Sequence, residues 1–87
     1  MDPAEIKADM DAAYSKFRAK EAEIADLVRH RDVLQRSYEF ERDKSHGMKW
    51  TSIWLRRLNE NQGRQNMARQ ASLAAQTQHK ALAEMLA

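Results

Sequence analysis

In 87 residues this chain has one proline, Pro3, and two glycines, Gly47 and Gly63. So few turn-forming residues leave almost nowhere for the backbone to reverse. The chain must therefore fold into very few, very long elements. Charged residues make up 32% of it and the mean hydropathy is -0.85, which fits either disorder or long amphipathic helices. Periodicity decides between them.

The first arm opens on a helix-start signal. Asp2 suits the N-cap, Pro3 the first helical position, and Glu5 completes an Asp-x-x-Glu capping box. Apolar residues then recur at heptad spacing in two rows. One is Met10, Phe17, Ile24 and Tyr38, interrupted by Arg31; the other is Ile6, Ala13, Leu27 and Leu34, interrupted by Lys20. Tyr14 and Val28 widen the stripe. No breaker occurs before Ser45-His46-Gly47, so the pattern predicts a helix over 3–45, roughly 63 Å long at 1.5 Å per residue. Such a helix does not persist alone in water and must bury its stripe against a partner.

Gly47 accepts the left-handed backbone that ends many helices, which places a turn at 45–48, with Lys44 and His46 complementing the helix dipole. A second helical arm is expected over 48–86. Trp50, Trp54 and Leu58 share one face, flanked by Met48 and Leu55. Residues 59–66 then carry no apolar side chain. Beyond them Met67, Ala68, Ala71, Ala74, Ala75, Leu82, Met85 and Leu86 resume an alanine-rich stripe. The polar stretch has two readings. Either Gly63 ends a short helix and breaks the arm within 59–64, or the helix runs through and the stretch forms a hydrated layer that fixes register. An internal glycine costs about 1 kcal/mol, which permits the second.

The arms have nearly equal lengths, so a hairpin aligns residues whose numbers sum to about 92. That alignment sets Phe17 beside Ala75, Ile24 beside Ala68, Leu34 beside Leu58 and Tyr38 beside Trp54. Large residues meet small ones along much of the seam, as interdigitating packing requires. The expected fold is an all-α, coiled-coil-type long helical hairpin forming a single domain over 1–87. Two helices cannot cover both sides of so wide a stripe, so assembly into a helical bundle is expected as well.

Several functions find no support in the residues. Without cysteine there is neither a disulfide framework nor a thiolate metal site. The acidic start, Met1-Asp2-Pro3-Ala4-Glu5, lacks the apolar stretch of a secretory signal, and no apolar run reaches membrane-spanning length. A cytoplasmic protein, or part of a particle assembled in the cytoplasm, is the expectation. Phosphate loops, nucleophile elbows and zinc signatures do not occur, so neither an enzyme, a cofactor nor a small-molecule substrate is expected. Asp26 with His30, and Glu39 with Asp43 and His46, share helix faces. Charged residues one turn apart are, however, what any solvated helix displays.

Four of the six aromatics, Tyr38, Phe40, Trp50 and Trp54, lie close to the turn. Val33 and Phe40 stand seven residues apart on a second face, off the main stripe, which points to contact with another helix. The candidate interface is Val33, Phe40, Trp50, Ile53, Trp54 and Leu58, since aromatic anchors tend to dominate interface energetics. The expected partner is another protein or a second copy of this chain, a homodimer being the simplest route to four helices. The alternative is nucleic acid. Residues 1–43 hold 11 acids and 8 bases, a balance of -3, while residues 44–87 hold 2 acids and 7 bases, a balance of +5. Arg56, Arg57, Arg64, Arg69 and Lys80 would then contact phosphates. These bases are sparse, and a net charge of +2 gives little long-range attraction. Residues 48–58 also show the tryptophan-and-base character of an interfacial membrane helix, although they continue a stripe that pairs with the first arm.

Overall fold

The computed structural model describes residues 2–44 and 47–87, and the side chains of all of these except 47–50. Helix α1 spans Pro3–Asp43 and helix α2 spans Gly47–Leu86. They pack side by side as an antiparallel hairpin, a rod of 64 × 14 × 14 Å. No strand occurs among the described residues. The all-α hairpin expected from the heptads is the fold observed.

Both ends of α1 are locally encoded. Asp2 adopts extended backbone and its Oδ1 accepts a hydrogen bond from the Ala4 N–H at 3.0 Å, satisfying one of the donors that a helix start leaves open. At the other end Lys44 caps the helix at φ -83° and ψ 0°, and its N–H donates to the Phe40 carbonyl at 3.1 Å. No left-handed residue is needed at that cap. Accordingly Gly47 does not terminate α1 but begins α2, and the two helices leave 44–46 between them, earlier in the chain than the expected turn at 45–48. Residues 45 and 46 lie outside the described residues.

The second arm is unbroken. α2 runs through 59–64 as one helix, so Gly63 ends nothing. Gly63 is exposed, and a methyl group added there would meet open space.

The seam is built asymmetrically. On α1 it holds buried Ile6, Ala13 and Leu34, with Met10, Phe17, Ile24, Leu27 and Tyr38 half-buried between them. On α2 the inward positions follow alternating steps of four and three from Trp54: Leu58, Asn61, Gln65, Ala68, Ser72, Ala75, His79 and Leu82. That is the coiled-coil period, occupied mainly by small and polar side chains. Met67 and Ala74, read from their apolar character as part of the stripe, lie off the period and face solvent, with Met67 72% exposed. The apolar stripe of α2 is thus narrower than composition alone implies.

Polar side chains pin the register. Asn61 Nδ2 crosses the seam and donates to the Leu27 carbonyl at 3.0 Å, while Gln65 Nε2 donates to Asn61 Oδ1 at 2.6 Å. Gln65 is 0% exposed, so its amide lies inside the seam. Further along the seam, buried Ser72 donates to Glu21 Oε1 at 2.7 Å. Beyond it the Tyr14 and His79 rings lie 6.2 Å apart. The pairs 21 with 72 and 14 with 79 each sum to 93, within one residue of the expected alignment, whereas the bonded pair 27 with 61 sums to 88, about one helical turn from it. The layer is not fully satisfied, since Gln65 Oε1 is buried without a hydrogen-bond partner. An unmet buried acceptor costs about 1–3 kcal/mol.

Candidate interaction surface

The candidate interface residues divide into two groups. Val33 and Phe40 stand on the outer side of α1, 56% and 54% exposed. Their seven-residue spacing puts them on one face, displaced from the seam defined by Leu27, Leu34 and Tyr38. Trp54 and Leu58 belong instead to the seam and are half-buried against α1, while Ile53 is half-buried beside it. The side chain of Trp50 lies outside the described residues.

Phe40 and Trp54 nevertheless come together. With Arg36, Ser37 and Glu41 they line an open hollow of about 310 Å³ between the helices, near the turn. Cations lie over the aromatic faces here: Lys44 Nζ is 4.3 Å from the Phe40 ring centre, and the Arg57 guanidinium is 4.9 Å from that of Trp54. Such stacking is worth about 0.5–1 kcal/mol at exposed sites. It lets basic side chains cover part of an aromatic surface that water would otherwise wet. Trp54 Nε1 is buried without a hydrogen-bond partner.

Nearer the turn than the open end, a second hollow of about 260 Å³ is lined by His30, Leu34, Arg57, Glu60, Asn61 and Arg64. Heptad pattern alone does not reveal it, because His30, Arg57, Glu60 and Arg64 each read as solvated charge. Only the register brings His30 of α1 to their level.

The five candidate phosphate-binding bases are not gathered on one surface. At about 100° per residue, Arg57 and Arg64 share one side of α2, Arg69 and Lys80 lie about 140° away, and Arg56 occupies a third side. Nor does any group of three or more His, Cys, Asp or Glu side chains converge on a possible metal position among the described residues. His46 is outside them, so the Glu39, Asp43 and His46 set is not described as a whole. Among the described residues, no helix is long and apolar enough to cross a membrane.

By architecture the chain is an antiparallel two-helix hairpin whose seam is pinned by a buried amide layer. No family model, curated protein or solved structure matches it.

Proposed function

We propose that this chain is a non-catalytic protein–protein interaction module, working as a small adaptor, assembly factor, inhibitor or structural subunit in the cytoplasm or in a particle assembled there. The observation that carries this reading is the outward pair Val33 and Phe40, more than half exposed beside the hollow that Phe40 shares with Trp54. Large apolar side chains clustered at an open hollow, rimmed by charges, are the usual centre of a helical interface. The hairpin also supplies a stiff support for them, since side chains on a continuous helix keep their spacing.

Val33 and Phe40 are the right residues to alter, because neither is part of the hairpin seam. Trp54 and Leu58 are not, because their loss would damage the fold. In a double variant, Val33→Glu with Phe40→Glu, the far-ultraviolet circular dichroism of the hairpin should be unchanged. Co-purification of the partner from the native host should fall to background. Retention of the same partners by that variant would overturn the reading. Nucleic-acid binding is the weaker reading, given the dispersed bases. It predicts instead that Arg56→Ala with Arg57→Ala abolishes binding, and that affinity falls steeply with salt.

A further inference from the structure

We infer that the hairpin pairs with a second copy of itself, turn end against open end, through the side that carries Phe40, Glu60 and Arg64. This inference rests on the interaction reading above and names the occupant of that surface.

The surface area leaves room for an occupant. A compact monomer of 10.1 kDa exposes about 5,300 Å² by the scaling of folded proteins, whereas this rod exposes 6472 Å². The excess of about 1,200 Å² exceeds the roughly 800 Å² that each partner contributes to an ordinary specific interface.

The arrangement of that side points to a second copy. Along α2 a row at seven-residue spacing holds Ile53, Glu60, Met67 and Ala74, next to the seam and outside it. Its open-end part, Met67 to Ala74, is apolar and exposed, and an open groove lined by Leu73, Ala74 and Ala81 adjoins it. On the same side, at the turn end, stand Val33 and Phe40 of α1. Between the two apolar patches lie Arg57, Glu60 and Arg64 around one hollow, with no ion pair among these three described residues.

A two-fold axis crossing this side between Glu60 and Arg64 pairs the charged region with itself and sets the turn-end patch of one copy against the alanines of the other. It brings Glu60 of each copy opposite Arg64 of the other, forming two reciprocal ion pairs. It sets Ile53 opposite Ala71, and it carries Phe40 to the level of Ala71 and Ala74, large against small. Self-complementarity of this kind is what a two-fold dimer requires, since residue i meets j and j meets i. The dispersed charges of α2 then acquire a use: they set the direction of pairing, because parallel hairpins would stack Glu60 on Glu60.

The test is sedimentation equilibrium of the full chain, with circular dichroism as the control for folding. Wild type is expected at twice 10.1 kDa, that is 20.2 kDa, in the hundred-micromolar range. Ala74→Glu and Phe40→Glu alter exposed positions, so each should keep its helicity and run as a monomer. Glu60→Arg should dissociate at least about 10-fold more readily than wild type, as should Arg64→Glu, because each places like charges opposite one another twice. Mixing those two variants should restore a 20.2 kDa particle, because one copy then presents a base at both positions and the other an acid at both.

A wild-type mass of 10.1 kDa throughout that range would overturn the second copy as occupant. The interaction reading would survive that result if Val33→Glu with Phe40→Glu still lost a different partner, and would fall with it if no partner were lost. A dimer that persists in Ala74→Glu, or charge variants that do not rescue one another, would reject the two-fold arrangement.

Discussion

The two helices of the hairpin meet along one seam but bring different things to it. α1 brings bulk: Ile6, Phe17, Ile24, Leu27 and Leu34. α2 brings small side chains and hydrogen-bonding groups: Asn61, Gln65, Ala68, Ser72 and Ala75. Bulk supplies burial, which is non-directional and tolerates sliding. Amides and hydroxyls supply direction, because a donor such as the Ser72 hydroxyl loses its side-chain acceptor when the helices slide. The division teaches that the stability of such a hairpin and the uniqueness of its register can reside on opposite sides of the same seam.

The division can be broken from either side. Leu34→Ala on α1 is expected to cost about 3 kcal/mol, chiefly burial lost and a cavity left, measured by urea denaturation at fixed protein concentration. Asn61→Ala on α2 is expected to cost about 2 kcal/mol although it removes far less apolar area, because Gln65 Nε2 loses its acceptor inside the seam. Equal costs below about 0.5 kcal/mol for both would show that the seam is too loose to have the described roles. Ala75→Leu, which gives α2 bulk at a buried small site, is expected to cost about 1–3 kcal/mol rather than to stabilise.

Smaller effects sharpen the comparison away from the seam. Gly63→Ala should raise stability by about 0.5–1 kcal/mol, since the helix is continuous there and the added methyl group meets nothing. A loss on that substitution would mean that α2 bends at 63 in solution. Ser72→Ala should cost no more than about 1 kcal/mol. Its partner Glu21 is exposed and regains water when the bond is lost.

Most of this fold is legible in the sequence, for reasons that differ between the arms. α1 announces itself because Asp2 and Pro3 mark its start and bulky residues mark its period. α2 is harder to read from Asn59 to Asn66, where polar side chains look like a loop or hinge. Following the period rather than the polarity finds Asn61 and Gln65, since steps of four and three from Trp54 lead straight to them. The same rule moves Met67 and Ala74 to the outer face. The outward placement of Val33 and Phe40 is readable from their offset from the stripe. The hollow between His30 and Arg64 is not, because it exists only once two segments about 30 residues apart in sequence are set in register. Gly47 misleads because helices do not need a glycine to stop; Lys44 ends α1 with ordinary right-handed backbone.

The bond from Asn61 to the Leu27 carbonyl has a consequence for how such a chain can drift in sequence. A side chain that grips a backbone oxygen addresses a position, not a residue type. Any amino acid at 27 that keeps α1 helical presents the same oxygen, whereas position 61 admits few side chains that reach it. For this one contact the constraint therefore falls on position 61 of α2, while the side chain at 27 is bound only by its place in the seam.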